Sequence, residues 1–368
     1  MLTSKHHRIQ IKAGEHMTQV LVINLGSTSS KVAIYNQQHC IAEALLQHDI
    51  QITQLSLLQQ EAHRVQAIEA FLAEHDIALN EIDAIACRGG LLKPISGGTY
   101  AINYKMYDDL RKFRYGVHAS NLSGIIGFKL AQKLNIPSFI VDPVVVDEMI
   151  DIAKLTGVKA IQRKSVFHAL NQKAVASQYA ESVNKTYTQV NVIVAHMGGG
   201  ITIGAHQYGK VVDVNDGLLG EGPLSPERSG SLPNDSLYQW AYQHQYTPAE
   251  MNRILSKESG LIALCGSNNL KALIQKYHED EHIHLAIDTM IYQIAKQIGE
   301  KAMIFKGKVD QIILTGGMAN SSLITDHITE YVDWIAPVSV YPGEKEMETL
   351  ALRVNDVMNN KEQVKNYS

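Results

Sequence analysis

Two stretches decide the fold: V-L-V-I-N-L-G-S-T-S-S-K-V-A-I-Y over residues 20–35, and V-I-V-A-H-M-G-G-G-I-T-I-G-A-H over residues 192–206. Each reads as an apolar strand, a polar residue, a turn of Gly and Ser, and a second strand. Glycine admits positive φ and close backbone approach, so such a hairpin tip can turn its N–H groups toward a phosphate. A single hairpin of this kind is more often an ordinary tight turn. Two of them, far apart in one chain, suggest two related domains facing one cleft. A third glycine turn, L-T-G-G-M-A-N at residues 314–320, follows a strand and precedes a helix, the position for nucleotide contacts at a strand's carboxyl end.

Working outward, apolar β-branched runs recur at residues 20–23, 31–35, 82–86, 136–141, 190–195 and 309–314. Helix-like stretches lie between them at 61–73, 121–134, 167–179 and 286–304; the last carries Ile287, Ile291, Ile294, Ala295 and Ile298 near helical spacing. The alternation predicts an α/β architecture. No G-x-x-x-x-G-K-[ST] and no G-x-G-x-x-G occurs, which sets aside the P-loop and dinucleotide folds. Residues 1–16 lack an apolar stretch and read as a tail, with Met17 as an alternative start.

With 368 residues the chain suits two domains. A net charge of -4 carries no footprint for nucleic acid or an anionic membrane. No apolar run approaches the roughly 18 residues needed to cross a bilayer. Cys40, Cys87 and Cys265 are scattered and odd in number, which points to a reducing, cytoplasmic setting and away from a disulfide framework.

Several residues stand where phosphoryl transfer would need them. Arg88 closes an apolar strand and opens R-G-G-L-L-K-P, poised over a cleft or, more plainly, in a surface ion pair. His118 precedes a helix whose expected N-cap is Ser120. Asp142 ends the strand P-S-F-I-V before Pro143, a place for a Mg²⁺ ligand or for an Asp-Pro turn. His168 stands near the start of a helix, and Arg228 at the centre of E-G-P-L-S-P-E-R-S-G-S-L-P, a loop built like a phosphate clamp. Glu344, Glu346 and Glu348 open the last helix, as dipole partners or as metal ligands.

These segments resemble the acetate and butyrate kinase family, and its butyrate kinase branch in particular. V-I-N-L-G-S-T-S-S-K is similar to the family's N-terminal signature and H-M-G-G-G-I-T-I-G-A-H to its second. R-G-G-L-L-K-P-I-S-G-G-T-Y, V-D-P-V-V-V-D-E-M, F-H-A-L-N-Q-K-A-V-A and G-E-G-P-L-S-P-E-R-S-G also resemble that branch. The resemblance implies two actin-like, ribonuclease H-like domains: residues 17–152 with the returning segment 345–368, and residues 153–344. It implies mixed sheets flanked by helices around a central nucleotide cleft, and transfer of phosphate between ATP and a short-chain acid, butyrate foremost, with ADP and butyryl phosphate as products. Isobutyrate or a broader acid range is the near alternative; a non-catalytic nucleotide-binding module is the distant one. By position, Arg88 and Arg228 become transition-state cations, His168 a hydrogen-bond partner of the phosphoryl group, and His118 a supporting group. Asp142 and Glu346 hold Mg²⁺. Asn24, Ser27, Lys31, His196, Gly198, Gly199, Gly200, Gly316, Gly317 and Asn320 receive the nucleotide phosphates. Gly90, Val117 and Phe167 line the acyl pocket, so that Gly90→Val should favour shorter acids. A homodimer or higher oligomer is implied as well.

Overall fold

A computed structural model describes residues 18–218 and 221–368; the expected tail over residues 1–16, and Met17, lie outside them. The first sheet is built from β1 (Gln19–Leu25), β2 (Ser29–Asn36), β3 (His39–Gln47), β4 (Ala84–Cys87), β5 (Thr99–Ala101), β6 (Ser138–Val141) and the C-terminal β12 (Lys365–Asn366), in the order β12-β5-β6-β4-β1-β2-β3. The second contains β7 (Asn191–Met197), β8 (Ile201–Gln207), β9 (Lys210–Val214), β10 (Gln311–Gly316) and β11 (Val338–Pro342), in the order β11-β10-β7-β8-β9. In both, the founding strand pairs antiparallel with the strand after it and parallel with a later one. The two hairpins therefore head two sheets of one plan.

Side-chain alternation along the founding strands assigns their helices. Leu21, Ile23 and Leu25 of β1 pack with Ile68 and Phe71 of the Glu61–Glu74 helix and with Leu122, Ile125 and Ile126 of the Asn121–Leu134 helix. Val20 and Val22 face the other way, onto Met347, Leu350, Ala351 and Val354 of the Glu346–Met358 helix. The chain thus returns to its first sheet at the end because β1 has a second apolar face to bury. In the second sheet, Ile193, Ala195 and Met197 meet Ile287, Ile291, Ile294 and Ile298 of the Glu281–Ala302 helix. Val192 and Val194 meet Val175, Ala176 and Ala180 of the Ala169–Ser182 helix. Among the described residues no helix is long and apolar enough to cross a membrane.

A buried ion pair ties Glu148 to the Ala169–Ser182 helix. Lys173 Nζ lies 2.8 Å from Glu148 Oε2, and the same carboxylate accepts the N–H groups of Gly97 and Val211 at 2.9 Å each. Burial by itself would raise the Glu148 pKa; Lys173 and the backbone donors outweigh it and hold the group below its ordinary 4.5. A carboxylate with a lowered folded-state pKa stabilises at pH values above its unfolded pKa, and that contribution fades as pH falls through the folded value. Glu148→Gln, which leaves Lys173 buried without its counter-charge, is expected to lose about 3 kcal/mol at pH 7. The difference from the parent should shrink in acid, as chemical denaturation at stepped pH would show; a pH-independent difference would contradict the linkage.

Candidate active site

The floor of the cleft is made where β1 and β4 end side by side. Asn24 precedes the last residue of β1, and Arg88 follows β4, its N–H bonded to Ile23 O at 3.2 Å. Arg88 Nη1 donates to Asn24 Oδ1 at 3.4 Å, Asn24 Nδ2 donates to Glu346 Oε2 at 2.7 Å, and Arg88 Nη2 lies 3.4 Å from Glu346 Oε1. Glu346 is buried at the start of its helix, so the structure selects it from the three glutamates as the one on the cleft floor. Glu344 also reaches the site. Its carboxylate lies 3.3 Å from His196 Nε2, and that imidazole, helped by Arg88 and Lys31, lowers its pKa.

His168 and His196 stack face to face, ring centroids 3.8 Å apart and planes 9° off parallel. His168 Nδ1 meets Thr202 Oγ1 at 2.9 Å. Desolvation, with His196, Arg88 and Arg228 nearby, holds His168 well below its ordinary pKa, so the ring is neutral at pH 7. His118 Nδ1 accepts the Ser120 N–H at 3.2 Å and meets its hydroxyl at 2.7 Å. Ser120 therefore spends its side chain on His118 and makes no cap bond to the helix it precedes. Desolvation between the cleft walls, then the Arg88, Lys257 and Arg228 cations, lowers the His118 pKa.

The second glycine turn and Arg228 are one unit. Gly198 N–H closes the turn onto Gly200 O at 3.1 Å, and Ser225 Oγ donates to Gly199 O at 2.6 Å. The same hydroxyl accepts Arg228 N–H at 3.1 Å. Ser225 thereby pins the Arg228 loop to the turn. A Cβ on Gly200 would fall 1.9 Å from Arg228 Nη1, so this glycine is what lets the guanidinium lie against the turn. Arg228 Nε is buried and makes no hydrogen bond with the described residues, and buried His196 Nε2 has the Glu344 carboxylate at 3.3 Å outside good hydrogen-bond geometry. A buried guanidinium donor beside a glycine turn suits an anionic phosphate.

A cavity of about 100 Å³ opens among Arg88, His118, His168 and Arg228, with Leu91, Val144, Val166, Phe167 and Leu218 as its apolar lining. That is far below the roughly 300–1,000 Å³ of pockets for drug-sized ligands. Of the three residues expected at an acyl pocket, Phe167 lines this cavity, while Val117 and Gly90 do not. Val117 is 66% exposed and outside the lining. A Cβ on Gly90 would lie 2.5 Å from Asn121 Cα and 2.7 Å from its N, inside the backbone of a helix. Gly90 makes room for that helix and not for an acyl chain, so the expected specificity effect of Gly90→Val has no basis here. Leu91, Val144, Val166 and Leu218 were missed because no short-range pattern separates a pocket wall from core.

Asp142 also departs from expectation. Its side chain is 1% exposed, Oδ2 takes Arg353 Nη1 at 2.9 Å, and Oδ1 takes Gly98 N–H at 2.7 Å. Both oxygens are engaged in holding a residue of φ +37° before Pro143, a strained backbone of the kind that needs such support. The carboxylate set at the cleft is therefore Glu346 and Glu344. No group of three or more His, Cys, Asp or Glu side chains gathers as a metal cage among the described residues. One or two carboxylates fit Mg²⁺, which keeps most of its shell as water and phosphate.

The remaining phosphate candidates spread along the cleft edge. Ser27 is exposed at the first turn, while its carbonyl is held by Arg64, a fully buried cation that also binds Ser29 O at 3.1 Å and Ser30 Oγ at 3.2 Å. Arg64 staples that turn from beneath and was not singled out in the sequence, where residues 61–73 read only as a helix. Lys31 pairs with Glu43 at 2.9 Å on the neighbouring strand. Gly316, at φ +90°, exchanges backbone hydrogen bonds with Gly343, and Asn320 Nδ2 donates to Gly317 O at 3.0 Å.

Two sheets of one plan, glycine turns at their founding strands and a cleft lined with cations make a frame suited to holding an anionic phosphate. Residues 150–339 match the acetokinase family model. A protein of Enterococcus faecalis described as a probable butyrate kinase is 47% identical over 355 residues, 96% of this chain and 98% of that one. The acetate kinase structure from Porphyromonas gingivalis superposes with a TM-score of 0.76 at 19% identity, covering 93% of this chain and 99% of that one. A propionate kinase structure from Francisella tularensis gives 0.74 at 21%, covering 92% and 99%. The chain belongs to the acetokinase family, ATP-dependent kinases that phosphorylate short-chain carboxylates.

Proposed function

We propose that this chain is a butyrate kinase, which transfers the γ-phosphoryl group of ATP directly to the carboxylate of butyrate. The observation that carries the reading is the small apolar-walled cavity closed at one side by Arg88, His168 and Arg228. A short-chain acid has a pKa near 4–5 and enters ionised at neutral pH, so no general base is needed. The obstacle is repulsion between two anions. Arg88 and Arg228 offset it, while neutral His168 contributes a hydrogen bond without adding charge. Asn24 and the turns at residues 198–200 and 316–320 hold the nucleotide. Glu346, with Glu344 beside it, would hold Mg²⁺, which when bound neutralises charge on the nucleotide phosphates. Residues 17–152 with 345–368, and residues 153–344, act as two domains closing over the acid and keeping water from the acyl phosphate. The enzyme works in the cytoplasm as a homodimer or higher oligomer.

The preference for butyrate rests on the aliphatic lining and on the Enterococcus faecalis relative. Hydroxylamine trapping of acyl phosphate, run with ATP, Mg²⁺ and acids from acetate to valerate plus isobutyrate, should give the highest kcat/KM with butyrate. A maximum at isobutyrate would keep the chemistry and revise the substrate. Each buried methylene contributes about 0.8 kcal/mol, roughly fourfold. Val144→Phe, which fills space for two methylenes, should lower the butyrate-to-acetate ratio at least tenfold, and an unchanged ratio would remove Val144 from the acyl site. No hydroxamate with any acid, alongside intact ATP binding, would favour a nucleotide-binding module.

A further inference from the structure

The strand β8 carries T-I-G-A-H, and its period of two puts Thr202, Gly204 and His206 on one face. All three are buried, and across from them the Ala169–Ser182 helix presents Gln172, also fully buried. An apolar layer would be the ordinary occupant between a strand and a helix. Here the polar atoms form a chain. Tyr187 Oη meets His206 Nδ1 at 2.7 Å, and His206 Nε2 meets Gln172 Oε1 at 3.0 Å. Gln172 Nε2 donates to Thr202 O at 3.0 Å and to Thr202 Oγ1 at 2.8 Å, and Thr202 Oγ1 meets His168 Nδ1 at 2.9 Å. A Cβ on Gly204 would lie 2.4 Å from Gln172 Oε1, so the glycine is the space in which the chain is laid.

The direction of the protons from Thr202 O through Gln172 to Tyr187 follows from one fixed acceptor. A backbone carbonyl only accepts, so Thr202 O requires the amide nitrogen of Gln172 on its side. Gln172 Oε1 then faces His206, which must donate from Nε2 and accept from the Tyr187 hydroxyl at Nδ1. Burial holds His206 well below and Tyr187 well above their ordinary pKa values, in keeping with a neutral ring and an intact hydroxyl. Thr202 Oγ1 accepts from Gln172, and its own hydrogen has His168 Nδ1 as acceptor.

We propose that Gln172, backed by His206 and Tyr187, is a positioning residue that fixes His168 as the Nε2–H tautomer, with its donor turned to the reacting phosphoryl group. This rests on the kinase reading for its consequence, but the tautomer itself is a property of the protein without substrates. Gln172 touches none of the reacting atoms; it acts through Thr202 and His168. Consecutive Asn171 serves His196 in the same manner, its Nδ2 donating to His196 Nδ1 at 2.8 Å.

The test is side-chain ¹⁵N NMR of histidine-labelled protein, with His168 assigned by loss of its signals in His168→Asn, together with steady-state kinetics. In the parent, His168 is expected to be protonated at Nε2; protonation at Nδ1 overturns the proposal whatever the variants do. Gln172→Glu keeps the shape but replaces the donors by acceptors. The Thr202 hydroxyl then turns to the carboxylate, its oxygen accepts from His168, and the ring shifts to the Nδ1–H tautomer. kcat should fall about 100-fold, with KM for ATP and for the acid within about twofold. A shifted tautomer with unchanged kcat, or an unshifted tautomer in a folded variant, would each overturn the assignment. Should Gln172→Glu fail to fold, the parent spectrum decides alone. Failure of the parent to form acyl phosphate from any acid would defeat the kinase reading and leave the tautomer measurement standing, so the two failures are distinguishable.

Discussion

Arg228→Ala is expected to lower kcat about 1,000-fold while the Kd for ATP changes no more than about threefold. Arginines that meet charge developing on a transferring phosphoryl group contribute on this scale, because the interaction strengthens in the transition state. Arg228 has the features such a role requires. Its backbone is pinned by Ser225, its guanidinium lies against the 198–200 turn, and its Nε is buried without an acceptor. Burial lowers its pKa, as for a cation short of partners, and an arriving phosphate would supply them. In the proposed function ATP is held by many backbone donors and by Asn24, so its binding should survive the loss. Turnover measured by hydroxamate formation and affinity measured by calorimetry separate the two quantities. Equal, small losses in both would instead favour a module that only binds nucleotide.

The second large effect comes from adding one methyl group. Gly200→Ala should reduce kcat about 100-fold while shifting the unfolding midpoint little. The new Cβ would meet Arg228 at Nη1 (1.9 Å), Cζ (2.3 Å) and Nε (2.9 Å). The end of a flexible side chain can move aside at small cost in stability, but it then leaves the position that chemistry needs, and a displacement of about 1 Å can cost 100-fold in rate. If displacement of Arg228 is the whole cause, Gly200→Ala in the Arg228→Ala background should cost almost nothing further, since the two act through one group. Full additivity in that double-mutant cycle would show that Gly200 matters for some other reason, such as the backbone path of the turn.

What was legible in the chain had a local cause. Strand alternation and helical spacing depend on neighbours two to four residues away, so the central strands and the main helices were found near their observed limits. The edge strands β3, β9, β11 and β12, and the three-residue β5 beside β12, were not read, because the apolar pattern thins toward a sheet margin and a very short strand shows no period. The repeated hairpin was legible as well, and it agreed with the two-domain fold that the family resemblance implied.

The sequence by itself determined the two-sheet plan, the kinship with carboxylate kinases and the set of polar residues available to a cleft. Only the tertiary structure decided which of them meet. It put Glu346 on Asn24, 322 residues away, and on Arg88, turned Asp142 to Arg353, and packed Gly90 against a helix instead of a pocket. It also revealed Arg64 beneath the first turn and Gln172 behind His168. The reason is physical: propensity and periodicity act along the chain, whereas a side chain's partner and its exposure are set by whichever distant segment packs against it.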